Sequence, residues 1–325
     1  MSTITKSALN KAGDLLRINP KDTNALYKLS QWRASHAHPL SLAFNLIKKY
    51  TNEVGNHALY GQRLKRISSI LHKLNRNSEM KLSRMQDIGG CRVILSDYDK
   101  VFNLQSLLKK SRSITEKDNY IHYPKYDGYR SIHLIYKCGS NDPEYSGLKV
   151  EIQLRTKLQH AWATTVEIVD IFENQNLKLG NGSEDWKEFF RLVSDEFARL
   201  EGLPVIDRQG NKVRLKELTD SLCVIDKLNS YRGTIKLGDT HPTVGKAEFS
   251  ILQLNLDTHT GELMIYHDLE SAKDEYLNLE TNYMNNDRVN ILMLRMSDVK
   301  QIKKTYPNYF ADSVKFVETL QKIIA

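Results

Sequence analysis

Leu148-Lys149-Val150-Glu151-Ile152-Gln153-Leu154-Arg155-Thr156 alternates apolar and polar side chains, the period of a β-strand with one face on a core. Val150, Ile152 and Leu154 fall on the core side, and Glu151, Gln153 and Arg155 project together from the other. A helix is expected immediately afterwards, from about Lys157 through Phe172. Upstream, Tyr129 to Lys137 and Cys91 to Ser96 also read as strands, with a helix from Lys100 to Lys110 between them. Tyr129, Ser131 and His133 share one face of their strand. A sheet face that is polar, charged and aromatic is either bathed in solvent or the floor of a ligand site. The neighbouring helices suffice to cover both faces, which favours the floor. The fold class expected is therefore α+β, a mixed β-sheet core flanked by helices.

On the N-terminal side, Ser7 to about Met80 reads as helical throughout. Trp32, Leu40, Phe44, Leu46 and Ile47 supply apolar positions, and Pro39 sits where a helix opens. On a helical wheel Leu64, Ile67, Leu71 and Leu74 share one face, with Arg63, Lys65, Arg66, Ser69 and Lys73 spread over the other. On the C-terminal side, helices are expected over Glu184 to Leu200 and Lys212 to Asn229, and Gly233 to Gly245 reads as a linker. Beyond it a small α+β appendage is expected: hairpin strands Ala247 to Asp257 and Glu262 to Asp268, a helix near Ser271 to Glu280, a strand Val289 to Met296 and a closing helix.

The 325 residues suffice for a full core and one or two smaller modules. No run approaches the roughly 18 to 20 apolar residues of a membrane span, and Met1 to Asn19 lacks the apolar centre of a secretory signal, so a cytoplasmic protein without membrane contact is expected. Cys91, Cys138 and Cys223 form no CxxC or Cys/His pattern, which suggests neither a disulfide framework nor a zinc site. Lys plus Arg number 47 against 39 Asp plus Glu, and the formal charge of +8 favours polyanionic partners such as nucleotides or RNA.

Asp87 lies just before the strand that opens at Cys91, and Gly89-Gly90 permits close backbone approach. Asp87 and Glu151 on one polar sheet are what pyrophosphoryl transfer requires: a hard oxygen ligand for Mg²⁺ and a base near an attacking hydroxyl. Cationic side chains would stabilise charge on the phosphates.

Four ordered motifs, Arg63-x-Lys65-x-x-x-Ser69-x-x-x-Lys73, Asp87-Ile-Gly-Gly-Cys-Arg92, Tyr126-Asp-Gly-Tyr129-Arg-Ser-Ile-His133 and Glu151-Ile-Gln153-Leu-Arg155-Thr, resemble the RelA/SpoT-homologue alarmone synthetases. The resemblance implies a nucleotidyltransferase-like synthetase domain over residues 25–180, after an N-terminal segment 1–24 and before a helical connector 181–240 and a regulatory domain 241–325. It implies that Arg63 and Arg92 sandwich the adenine of ATP. Lys65, Ser69 and Lys73 would hold its phosphates, and Asp87 and Glu151 would bind Mg²⁺. Glu151 would also activate the acceptor hydroxyl, Tyr129 would stack on the acceptor base, and His133, Gln153 and Arg155 would support the acceptor.

After Trp162 the family shows a Glu-His pair, whereas this chain reads Ala163-Thr164-Thr165-Val166-Glu167-Ile168 and lacks the His, so Glu167 is either a substitute ligand or a polar contact of its helix. The departures resemble a branch of small synthetases in toxin–antitoxin settings. Tyr306-x-x-Tyr309 resembles a segment of fused toxins of the CapRel type, which implies that these tyrosines cover the ATP pocket until a phage protein binds; on the residues alone, two tyrosines beside Pro307 read equally as packing residues of a helix start. The function expected is pyrophosphate transfer from ATP to the 3′-terminal adenosine of tRNA by a self-inhibited toxin in phage defence. Lys109, Lys110 and Arg112 are candidate RNA contacts. The alternatives are (p)ppGpp synthesis from GDP or GTP, and an inactive nucleotide- or RNA-binding regulator. Hydrolase activity is not expected.

Overall fold

The computed structural model describes residues 4–55, 58–173, 175–205, 210–231, 236–237, 249–255, 257–258, 260–283, 286, 289–294 and 313–325. One mixed sheet comprises β1 (Leu59–Leu64), β2 (Gly89–Leu95), β3 (Ile114–Asn119), β4 (Ile132–Lys137) and β5 (Lys149–Thr156), in the order β1-β2-β5-β4-β3. β2 and β5 are parallel and the other neighbours antiparallel. In central β5, Val150, Ile152 and Leu154 are fully buried, as their alternation requires. They join one apolar cluster with Leu40, Phe44 and Ile47 of α3 (Ala37–Val54) and Val101, Leu104 and Leu108 of α5 (Tyr98–Leu108). Those two helices cover the apolar face, and the polar face is left for the site.

Thr156 ends β5 and caps α6 (Lys157–Phe172). Its hydroxyl accepts from Gln159 N, and Gln159 Oε1 accepts from Thr156 N, each at 3.2 Å. This capping box turns strand into helix without a loop and brings Trp162 of α6 beside the polar residues of β5.

The helical reading of Ser7 to Met80 needs correction. Helices α1 (Lys6–Ile18), α2 (Thr23–Ser35) and α3 form as expected, but Leu59–Leu64 is strand β1, and the next helix, α4, covers only Ile67–Arg76. Arg63 is therefore a strand residue paired opposite Gly90. The 3.6-residue spacing of Leu64, Ile67, Leu71 and Leu74 crosses a real boundary, because Leu64 is buried from a sheet edge and Ile67 from a helix. Tyr129 and Ser131 likewise precede β4 rather than lie in it.

Beyond α7 (Glu184–Leu200), the expected helix Lys212 to Asn229 is two, α8 (Asn211–Ser221) and α9 (Val224–Tyr231). Cys223 between them adopts φ 52°, which no helix continues through. Within the expected linker, Lys236–Leu237 forms β6; the rest of Gly233 to Gly245 lies outside the described residues. β6 belongs to a second sheet with β7 (Phe249–Asn255), β8 (Thr260–Tyr266) and β9 (Val289–Leu294), in the order β6-β8-β7-β9. α10 (Leu269–Asn282) packs on this sheet through Ala272 and Tyr276. The closing helix α11 (Val314–Ile324) instead joins the aromatic cluster of α6, α7, α8 and α9, with Phe316 against Phe189, Phe190 and Phe197.

Candidate active site

Strand register assembles the polar face row by row. Arg63, Gly90, Glu151 and Ile135 pair across four strands, and Gly61, Arg92, Gln153 and His133 form the next row. A Cβ placed at Gly90 would meet nothing nearer than a backbone oxygen at 3.9 Å, so the floor beside Glu151 is open. Above it is a cavity of about 430 Å³. Arg63, Lys65, Lys73, Asp87, Arg92, Tyr129, His133, Glu151, Gln153, Arg155 and Glu167 all line it. Ser69 does not; it sits half-buried on α4, one turn before Lys73. Tyr306 and Tyr309 lie outside the described residues. Lys109 pairs with Glu116 at 2.7 Å, and neither it, Lys110 nor Arg112 lines the cavity.

Two carboxylates anchor two ionic clusters. Asp87 takes Lys65 at 3.0 Å and Lys73 at 2.9 Å. Burial alone would raise its pKa, but the two ammonium groups outweigh burial and hold the carboxyl below its usual range. Glu151 accepts from Lys117 Nζ at 3.1 Å and Gln153 Nε2 at 2.9 Å, with His133 Nδ1 at 3.3 Å. Burial again opposes ionisation, and His133, Lys117 and Gln153 overcome it, leaving Glu151 well below the ordinary carboxylate range.

A hydrogen-bonded chain backs Glu151. Arg155 Nη2 donates to the Tyr129 hydroxyl at 2.6 Å, and that oxygen lies 2.8 Å from His133 Nε2. Arginine can only donate. With a neutral imidazole, every group is satisfied when Tyr129 donates to Nε2 and Nδ1–H donates to Glu151. The face of Tyr129 is surrounded by cations, Lys125 Nζ and Arg155 Cζ each 5.0 Å from its centroid.

Glu167 pairs with Lys178 and lies in the field of Arg63 and Arg92. Burial would raise its pKa, and these three cations instead hold it well below the usual range. Glu167 shares the cavity wall with both arginines, and its ion-pair partner Lys178 lies beyond α6.

Lys117, Tyr120, Lys125 and Lys178 also line the cavity and escaped the sequence reading. Lys117 lies where the β3–β4 register shifts between Glu116 and Asp118, a bulge that leaves it without an opposite residue. The one signal for it was a charged run, Glu116-Lys117-Asp118, in a segment with no apolar alternation.

No cluster of three or more acidic, His or Cys ligands occurs among the described residues. Mg²⁺ is commonly held by one or two carboxylates together with substrate phosphates and water, and Asp87 and Glu151, both ionised on the wall of one cavity, fit that mode. No described helix is long and apolar enough to cross a membrane.

Comparison with known proteins finds that residues 62–170 match the model described as a region found in RelA / SpoT proteins. The chain is 34% identical over 139 residues to GTP pyrophosphokinase YwaC of Bacillus subtilis, covering 38% of this chain and 65% of that protein. It is 33% identical over 146 residues to GTP pyrophosphokinase YjbM of the same organism, covering 43% and 66%. The chain thus spans just under two thirds of each relative's length. Among solved structures, the small alarmone synthetase 2 from Bacillus subtilis aligns at 25% identity and TM-score 0.45, over 54% of this chain and 94% of that one. Residues 62–170, which hold the second half of β1, all of β2 to β5 and nearly all of α6, are the part of the chain that is similar to the RelA/SpoT region.

Proposed function

We propose that the chain is an ATP-dependent pyrophosphokinase that places pyrophosphate on the 3′-hydroxyl of GDP or GTP. The observation that carries this reading is the convergence of two halves on one cavity: basic residues Arg63, Lys65, Lys73 and Arg92 around Asp87, and Tyr129, His133, Gln153 and Arg155 around Glu151. The names of the relatives, both GTP pyrophosphokinases, support the guanosine acceptor. They do so better than they support tRNA, which rests on the resemblance to a toxic branch of small synthetases and on the overall charge of +8. The self-inhibited, phage-triggered role rests on Tyr306 and Tyr309, outside the described residues.

In this mechanism Arg63 and Arg92 bracket the adenine, Lys65 and Lys73 turn from Asp87 to the phosphates, with Ser69 lending its hydroxyl from α4, and Tyr129 stacks on the acceptor base. The acceptor hydroxyl gives its proton to Glu151 as its oxygen bonds to the β-phosphorus, the bond from the β-phosphorus to the α,β-bridging oxygen breaks, and AMP leaves carrying that bridging oxygen. Mg²⁺, held by Asp87 and Glu151, would neutralise charge on the transferring group. Glu151 in its present ion pairs is a weak base. It gains basicity when Lys117 is drawn to incoming phosphate, and its Gln153 and His133 contacts then keep its carboxylate aimed at the hydroxyl.

The test is incubation of the full chain with γ-labelled ATP, Mg²⁺ and either GDP plus GTP or deacylated tRNA. Label on guanosine nucleotides is expected. Label on tRNA alone would overturn the acceptor, and no transfer to either would favour a nucleotide-binding regulator.

A further inference from the structure

Arg33, near the end of α2, is among the largest fully buried side chains of the protein, and it lies outside the RelA/SpoT region. Its Nε donates to the backbone carbonyl of Lys65 at 2.6 Å. Its Nη2 lies 3.2 Å from Glu280 Oε1 and donates to the Tyr276 hydroxyl, and its guanidinium carbon is 4.7 Å from the centre of the Tyr276 ring. Glu280 and Tyr276 both belong to α10, the helix of the second sheet. One guanidinium therefore joins the second sheet to the backbone of a lysine that reaches Asp87 at 3.0 Å.

Lys65 sits between β1 and α4. Its N–H donates to Ile88 O at 2.7 Å, and its carbonyl is held by Arg33. The peptide after Lys65 thus depends on a group whose own position is set by α10. The link is geometrically demanding, because only a planar fork with several donors can face a carbonyl, a carboxylate and a phenol at once. It is not over-determined: Nη1 of Arg33 has no hydrogen-bond partner among the described residues. A narrow crevice between Arg66, Ile67 and Ser68 on one side and Glu280 and Tyr283 on the other continues the same junction.

We propose that Arg33 is a positioning residue for the donor-nucleotide site, and that α10 sets it through Glu280 and Tyr276, so that the second sheet governs how Lys65 meets the phosphates of ATP. This rests on the pyrophosphokinase reading of the cavity. Seated α10 keeps the Lys65 carbonyl bonded and its ammonium aimed into the cavity; displaced α10 loosens the Arg33 contact to that carbonyl and weakens ATP binding. Whatever binds the second sheet and shifts α10 would thereby change affinity for ATP and leave the acceptor half untouched.

The experiment compares the full-length wild type with Tyr276→Phe, Glu280→Gln, Arg33→Lys and the paired variant Arg33→Met/Glu280→Met. It measures KM for ATP, KM for the acceptor, kcat and thermal stability. The single variants are expected to raise KM for ATP by roughly tenfold, since small misplacements of a positioning group carry large kinetic penalties, with KM for the acceptor unchanged. The paired variant exchanges a buried ion pair for apolar packing and is expected to recover stability without recovering KM for ATP. Lower stability with unaltered KM for ATP, or recovery of both together, would overturn the proposal. Should the wild type form no product, the pyrophosphokinase reading fails, and calorimetric affinity for a non-hydrolysable ATP analogue takes the place of KM in the same comparison.

Discussion

Lys73 reaches both oxygens of Asp87, each at 2.9 Å. In this ion pair a group suited to phosphate is held by the carboxylate suited to the metal, so each restrains the other until nucleotide arrives. Asp87→Asn should therefore separate binding from turnover. Affinity for a non-hydrolysable ATP analogue is expected to hold or rise, because Lys65 and Lys73 lose their competitor, while kcat falls by about 10² to 10⁴-fold or more. Calorimetry beside initial rates would show it, and a parallel loss of affinity and kcat would contradict the exchange of partners.

The Tyr129 ring and its hydroxyl do different work. Tyr129→Phe keeps the stacking face and breaks the bonds to Arg155 and His133, so the expected loss is mainly in kcat. Tyr129→Ala also removes the face, at about 1–3 kcal/mol or roughly 5- to 150-fold in KM for the acceptor. Equal KM in the two variants would exclude stacking.

Glu167 compensates Lys178, Arg63 and Arg92 on one wall. Glu167→Ala removes the carboxylate that these cations share and should lower stability by about 1–3 kcal/mol. Added pyrophosphate or ATP is expected to restore much of that loss in a thermal-shift assay, because an anion replaces the missing carboxylate.

The acid branch of stability follows from Asp87, Glu151 and Glu167, all held below the ordinary values of 3.8 and 4.5. A depressed native pKa contributes stability that is complete above the unfolded value and disappears as pH falls through the native one. Asp170 and Glu201, pushed upward chiefly by burial, act in the opposite sense and blunt the slope. Melting temperature is expected to be level from neutrality to about pH 5 and to decline below about pH 4. Glu151→Gln should make that decline shallower; an unchanged slope would show that Glu151 is not ionised in the native cluster.

The site was more legible in the sequence than the frame around it. Glu151, Gln153 and Arg155 could be placed because Val150, Ile152 and Leu154 alternate with them and fill the apolar core. β1 was hidden because its apolar end, Leu64, happens to keep helical spacing with Ile67 and Leu71. β3 was hidden for the opposite reason: within Ile114–Asn119 only Ile114 is buried, so a strand edge carrying Lys117 shows no apolar period. Arg33 was invisible in principle, since its partners lie 32, 243 and 247 positions away and only tertiary packing brings them together.

The aromatic cluster offers a test of a different kind. Phe316 is fully buried against Phe189, Phe190 and Phe197, and the Phe190 carbonyl accepts from Trp162 Nε1 at 2.7 Å on the cavity wall. Phe316→Ala is expected to cost about 3–5 kcal/mol in chemical denaturation.

α9 and α11 share that cluster, Val224 and Leu228 with Phe316 and Leu320, and Ser313 Oγ lies 3.5 Å from Leu228 O. In topological terms the second sheet is a cassette spliced into the helical core, leaving after Tyr231 and rejoining it at Ser313. A stop codon upstream of α11 would strip away part of that core along with the cassette, so a change in activity would report damage to the Trp162 wall as much as loss of α10. Internal excision of residues 232–312 with a short flexible join keeps both halves of the core, and isolates what the cassette contributes.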